Sequence, residues 1–159
     1  MTDYRLLNSQ LLSLVQGVPH RTANLANASA LLYSALPELN WAGFYLIEDG
    51  ILVLGPFQGK TACIEIPVGK GVCGTAAKED RTQRIANVHT FPGHIACDGA
   101  SNSEIVIPIR RENTVIGVLD IDSPVFERFS EEDQIGLEEF VRILEREVFS
   151  PRTGSPDFQ

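Results

Sequence analysis

Cysteine is scarce in this chain, and cationic side chains are outnumbered. Three cysteines in 159 residues are too few for the disulfide frameworks that staple small secreted domains. Their odd number leaves at least one thiol free whenever two pair within the chain, which suits redox turnover better than a permanent staple. No apolar run approaches the roughly 20 residues of a membrane span. The opening Met1-Thr2-Asp3-Tyr4-Arg5 lacks the basic-then-apolar order of a secretory signal. The expected location is therefore cytoplasmic, where thiols are normally reduced. With 13 Lys and Arg against 21 Asp and Glu, the formal charge is −8. Such a surface repels phosphate backbones and anionic lipid, so neither nucleic acid nor membrane is an expected partner.

What is present reads as a single domain over 1–149 followed by a loose tail over 150–159. Helical spacing of Leu7, Leu11, Leu14 and Val15, with Thr2 or Asp3 as cap, predicts a first helix. A second runs roughly from Ala23 to Leu36, so that 1–36 is helical. Strand patterns fill 41–122: Trp41 to Ile47, Ile51 to Leu54 after an Asp49-Gly50 turn, and Ile64 to Ile66 before Pro67. A short helix is expected from near Val72 to Asp80. The polar, Pro- and Gly-containing stretch from Asn87 to Ser103 reads as a long loop, a length that is usually functional or disordered. A second hairpin follows, Glu104 to Arg111 and Thr114 to Asp122. Over 130–149, Ser130 and the acids after it start a last helix with Leu137, Phe140, Val141, Leu144 and Val148 on its apolar face. The fold class is α+β with an antiparallel sheet.

Gly69-Lys70-Gly71-Val72-Cys73-Gly74 matches the letters of a dinucleotide-binding turn. Pro67 breaks the strand before it, and His94 stands where the acid should follow. A strand-to-helix turn bringing backbone close to a ligand is the better reading. Zinc wants paired cysteines, whereas these three lie ten and twenty-four residues apart. His89 and His94 would complete a set only on paper. A cysteine is more often a small buried apolar residue than a reactive one. That reading is weakest for Cys97, beside Asp98 and near His94 in the polar loop, and strongest for Cys63 beside its strand. Cys73 opens the short helix, where a thiolate gains from the dipole.

Trp41, Gly43 and Tyr45 share one face of their strand, leaving a ring-walled slot that suits a methyl or thioether group or simply packs as core. Asp120 and Asp122 also share a face of an apolar strand, a costly arrangement unless they are paired or solvated. A two-residue turn at Glu112-Asn113 sets Glu104 opposite Ile121, on the wrong face. A longer loop or a bulge at Pro108 brings it to the aspartates' side.

Several segments together resemble the free methionine-(R)-sulfoxide reductases, small stand-alone GAF-domain enzymes. They are Gly55-Pro56-Phe57-Gln58-Gly59-Lys60, Ala62-Cys63-Ile64, Gly69-Lys70-Gly71-Val72-Cys73-Gly74-Thr75-Ala76, Asn87-Val88-His89, Phe91-Pro92-Gly93-His94-Ile95-Ala96-Cys97-Asp98 and Ser101-Asn102-Ser103-Glu104-Ile105-Val106. Thr61 stands where the family often has proline, a departure expected to touch no chemistry. The resemblance implies a GAF-like fold, with helices mainly on one face of the sheet and a loop-covered pocket on the other. It implies Cys97 as nucleophile, Cys63 and Cys73 as resolving thiols, Trp41 and Tyr45 as walls around the substrate methyl group, and Glu104, Asp120 and Asp122 as the polar recognition set. The implied activity is thioredoxin-dependent reduction of free methionine-(R)-sulfoxide, with no bound cofactor or metal. Homodimerisation through the N-terminal helices is a further expectation.

The residues suit that chemistry. A thiolate attacks the sulfoxide sulfur, an acid with a raised pKa protonates the departing oxygen, and the sulfenic acid condenses with a second thiol. Two rivals share parts of this pattern. A ligand-sensing GAF module would not need three thiols, and a cysteine redox sensor would not need the aromatic pair.

Overall fold

Alternate residues of β1 (Trp41–Glu48) divide into two sets that differ in kind. Ala42 and Phe44 point to one side, where they meet Ile105, Ile107, Ile109, Leu119 and Ile121 from the neighbouring strands. Trp41 and Tyr45 point to the other. A strand buried on both faces must be covered on both, and that requirement sets the layers of the molecule.

The computed structural model describes residues 1–150; the rest of the expected tail lies outside the described residues. Six strands form one antiparallel sheet in the order β3-β2-β1-β6-β5-β4. They are β1, β2 (Ile51–Gly59), β3 (Glu65–Pro67), β4 (Gln83–Ile85), β5 (Ser103–Arg111) and β6 (Thr114–Ser123). Three helices cover one face: α1 (Tyr4–Val15), α2 (Arg21–Ala35) and α4 (Glu131–Glu147). Their Leu7, Leu11, Leu25, Leu32, Leu137, Phe140 and Leu144 join the β1, β5 and β6 side chains in the main core. Each such buried side chain is worth about 1.5–3 kcal/mol relative to exposure. α3 (Gly71–Glu79) lies on the opposite face, where Val72, Cys73, Ala76 and Ala77 pack with Trp41, Tyr45, Leu52, Ile66, Val106 and Val118.

Helix ends follow the sequence closely. The Asp3 carboxylate accepts from Leu6 N at 3.1 Å, and Ser130 with Asp133 forms a reciprocal capping box. Asp133 also accepts a hydrogen bond from Tyr4 Oη at 2.5 Å and ion-pairs with Arg128, tying α4 to α1. Leu14 differs from the expected pattern: it is exposed, and Leu7, Leu11 and Val15 carry the buried face. β2 is longer than its apolar run because Gly55 and Pro56 sit at a bulge opposite Phe44, where proline's missing N–H is tolerated. A 3₁₀ turn over Val88–Thr90 interrupts what reads as loop, and β4, just before that loop, is a strand the sequence pattern does not predict.

The register of β5 and β6 decides the site. Glu112 and Asn113 form the two-residue turn, with φ of 51° and 65°. The bulge lies at Ile116 on β6, not at Pro108: Arg110 pairs with Val115 and Ile109 with Gly117. Pro108 itself keeps its place opposite Val118, beyond the point where β4 ends opposite Val106. The extra residue shifts the ladder by one, so Glu104 stands opposite Asp122 rather than Ile121.

Candidate active site

The three acids and the two aromatics meet on the same face of the sheet. Across β1 and β6, Trp41 pairs with Asp122 and Gly43 with Asp120; across β5 and β6, Glu104 pairs with Asp122. Directly paired residues point to the same side. Trp41, Tyr45, Glu104, Asp120 and Asp122 therefore floor one cavity, and α3 with the Cys97 loop roofs it. Cys73, His94, Cys97, Asp98 and Ser101 complete the lining from above, together with Thr61, Ala62 and Ile66 at the side. Thr61, where the family often has proline, borders the cavity at its side.

The aromatic slot is not open between its rings. Trp41 and Tyr45 stack at 5.9 Å between centroids, and Trp41 stacks on Phe57 at 5.2 Å. Gly43 serves the bulged approach of β2: a Cβ built there would lie 2.8 Å from Phe57 Cα and 2.9 Å from Pro56 O. Both rings line the cavity. Their polar ends hold the loop above, with Tyr45 Oη donating to Cys63 O at 2.9 Å and Trp41 Nε1 to Lys60 O at 3.2 Å.

The cysteines change rank in the structure. Cys63 and Cys97 are joined by a disulfide, and Cys73 is the free one. Cys63, expected to be the most buried, is half-exposed, whereas Cys73 is 4 % exposed. Its place in the first turn of α3 does not make it a thiolate. Burial, then the charges of Asp120, Glu104 and Asp122, push its thiol well above the ordinary range. The glycines before it form the expected turn, with Gly69 at φ 92° and Gly71 at φ 62°, and Gly69 N donating to Gly74 O at 2.8 Å. β3 is antiparallel to β2, so the turn is not that of a βαβ dinucleotide unit.

Burial also governs the acids. It raises Glu104 and Asp122 well above ordinary carboxylates, and the Asp120 charge adds to both shifts. Asp120 is raised by burial, against hydrogen bonds from Glu104 and Cys73 that lower it. Its Oδ1 is buried with no hydrogen-bond partner. A set of like-charged groups this close keeps protons that exposed carboxyls would lose, and releases them stepwise as a group. Ligand atoms of Cys73, Glu104 and Asp120 lie within 4.8 Å of one another, a spacing a metal ion would accept. Because all three are held toward their protonated forms, the arrangement is better suited to sharing protons or receiving an organic cation.

His94 belongs to this site, although the sequence reading left it outside the recognition set. Its Nε2 lies 4.0 Å from Glu104 Oε1. Burial, with His89 nearby, lowers its pKa, and burial raises that of Glu104, so both shifts work against an ion pair at this contact. A histidine three residues before the loop cysteine was the available signal. Asn40 ties the loop down: its Nδ2 donates to Asp98 Oδ2 at 3.0 Å and to Ser101 Oγ at 2.9 Å. Asp98 stays below the ordinary carboxylate range through the Ala100 N–H, Asn40 and Lys60, with only a small opposing effect of burial. The cavity, open on one side, measures about 40 Å³, room for a few waters.

The GAF domain family model matches residues 22–146. Over 143 residues, 90% of this chain, it is 59% identical to free methionine-R-sulfoxide reductase of Escherichia coli, covering 87% of that protein. The chain belongs to this reductase family. A second family member, from Saccharomyces cerevisiae, is 45% identical over 89% of this chain and 84% of its own length. The solved structure of fRMsr of Staphylococcus aureus in its reduced form superposes with a TM-score of 0.91 at 53% identity, covering 93% of this chain and 96% of that one. The curled antiparallel sheet with its helices on one face and cavity on the other is thus the GAF fold of the reductase family, as the sequence resemblance implied.

Proposed function

We propose that this protein reduces free L-methionine (R)-S-oxide to L-methionine. The observation that carries the reading is the Cys63–Cys97 disulfide at the edge of a cavity floored by Glu104, Asp120 and Asp122 and walled by Trp41 and Tyr45. A family member from Neisseria meningitidis, named free methionine-R-sulfoxide reductase, was solved in complex with its substrate and superposes with a TM-score of 0.89 at 42% identity, over 92% of this chain and 88% of that one.

In the cycle, the Cys97 thiolate attacks the sulfoxide sulfur. A protonated carboxyl from the Glu104–Asp122 pair donates to the oxygen, which their raised pKa makes feasible at neutral pH. The oxygen passes to Cys97 as a sulfenic acid and methionine leaves. Cys63 then attacks Cys97, expelling water and forming the disulfide. Thioredoxin restores both thiols. No step needs a bound cofactor. Cys73, named beside Cys63 as a resolving thiol, is held protonated in the acid cluster, so the structure favours Cys63 for that role.

The ammonium group of the free amino acid is matched by the acid cluster and by the unpartnered Asp120 Oδ1. A methionine residue inside a protein has no ammonium there and would leave those groups unpaired. Polar recognition of this kind can reject such analogues by roughly 10⁴-fold. No helix among the described residues is long and apolar enough to cross a membrane, and a reducing compartment such as the cytoplasm suits the thiol cycle. Self-association through α1 belongs to the same reading, since Leu6 and Leu14 are exposed on it.

The test is consumption of free methionine sulfoxide with thioredoxin, thioredoxin reductase and NADPH. Loss of the R epimer alone is expected. Consumption of neither epimer overturns the reading, and consumption of both overturns its stereochemistry.

A further inference from the structure

The two halves of the disulfide stand in different surroundings. Cys97 lines the cavity beside His94, Glu104 and Asp122, whereas the Cys63 segment contributes Thr61 and Ala62 to the lining but not Cys63. Cys63 lies just before β3, where the next residue, Ile64, is 71% exposed. Thiol–disulfide exchange requires the attacking thiolate to approach in line with the bond it breaks. An attacker reaching Cys97 from the cavity side would have to enter that space. That space, about 40 Å³ and walled by Trp41, Tyr45 and α3, admits no protein loop.

We infer that the reductant attacks Cys63, with Ile64 as its contact beside the scissile bond, and that Cys97 is the leaving group. This rests on the preceding reading that the disulfide is the product of turnover and that a small protein dithiol reduces it. The reductant's thiolate forms a bond to Cys63 Sγ while the Cys63–Cys97 bond breaks. The electron pair of that bond leaves with Cys97 as a thiolate. The reductant's second thiol, as its thiolate, then displaces Cys63 from the mixed disulfide, closing the reductant's own disulfide and freeing Cys63, which takes up a proton. Two electrons pass to the protein in all. Cys97 is released as a thiolate already facing the cavity, so the nucleophile for the next round is regenerated in place.

A bare, exposed isoleucine beside an exchangeable disulfide fits the apolar collar that a protein dithiol must present to reach a partner's sulfur. Among the described residues, Ile64 is the most exposed large apolar side chain after Met1. Its backbone is held, with its carbonyl accepting from Leu54 N at 2.9 Å. The side chain is therefore offered from a fixed position.

The experiment traps the intermediate. The protein is oxidised chemically, without sulfoxide, and mixed with thioredoxin whose second active-site cysteine is replaced by serine. Peptide mapping is expected to find thioredoxin joined to Cys63, with Cys97 as a free thiol. Thioredoxin on Cys97, on Cys73, on Cys63 and Cys97 equally, or on none overturns the inference. Ile64→Glu should slow reduction by thioredoxin about tenfold, as for loss of an interface anchor, and leave reduction by dithiothreitol unchanged. Equal slowing of both would mark a structural effect and overturn the role of Ile64. An adduct on Cys63 in a protein that consumes no sulfoxide would sink the proposed activity while leaving this exchange chemistry standing.

Discussion

Glu104 on β5 and Asp122 on β6 face each other directly across the ladder because one residue of β6, Ile116, is left unpaired. Without that bulge the Glu112-Asn113 turn would pair Glu104 with Ile121 and turn its carboxyl toward the helices, into the hydrocarbon of the main core. Ile116 instead packs at the margin of that core. One inserted residue near the hairpin tip thus moves a carboxyl from one face of the sheet to the other about six positions away.

The acid pair makes stability depend on pH in an unusual direction. Burial and mutual charge raise the folded pKa of Glu104 and Asp122 above their unfolded values. The folded state therefore holds protons that the unfolded chain releases near about pH 4. The associated stability is full below that pH and is lost as pH rises through the raised folded values. Glu104→Gln and Asp122→Asn should unfold at higher temperature than the parent at pH 8 and show no such gain near pH 4. Thermal melts across pH check this, and both variants should lose most reductase activity.

Cysteine replacements should separate three roles. Cys97→Ser is expected to reduce turnover to background, as for loss of a covalent nucleophile. Cys63→Ser should release about one methionine per chain in the absence of reductant and leave a sulfenic acid on Cys97. Cys73→Ser should keep the burst and continued turnover with thioredoxin. Rapid-quench analysis with mass spectrometry of Cys97 reads all three.

Closing the disulfide should shut the site. With Cys63 and Cys97 joined, the cavity of about 40 Å³ is smaller than an amino acid needs. Titration calorimetry with free methionine is expected to show binding to the reduced protein and at least tenfold weaker binding to the oxidised one. Equal affinity would mean that the loop over residues 94–98 opens without bond cleavage.

Trp41→Ala should cost about 3–5 kcal/mol, the usual range for emptying a buried aromatic position. It removes stacking with Tyr45 and Phe57 and the hydrogen bond to Lys60 O. Trp41→Phe should recover most of the stability but not the tether to the Cys63 loop. A rise in KM larger than the fall in kcat is expected for it, measured with free methionine-(R)-sulfoxide.

Much of this architecture was legible from residue order because its signals are local. Leu7, Leu11 and Val15 at helical spacing, Ser130 ahead of Asp133, and the Asp49-Gly50 turn each act within a few residues. β4 escaped notice because three residues, Gln83–Ile85, are too few to show a period. The exposure order of the cysteines was misjudged for a different reason. Cys63 borders an apolar segment, but its strand β3 lies at the sheet edge, whereas Cys73 faces the sheet interior from α3.

Chain order alone determined the antiparallel α+β framework, the family, the three thiols and the shared face of Asp120 and Asp122, since each follows from local pattern or alternation. Tertiary structure alone decided that Glu104 joins those aspartates, that His94 stands beside them, and that Cys63 rather than Cys73 meets Cys97. The reason is that a register, a loop's position and a bond between residues 34 apart depend on packing between distant segments. Periodicity within any one segment does not contain that information.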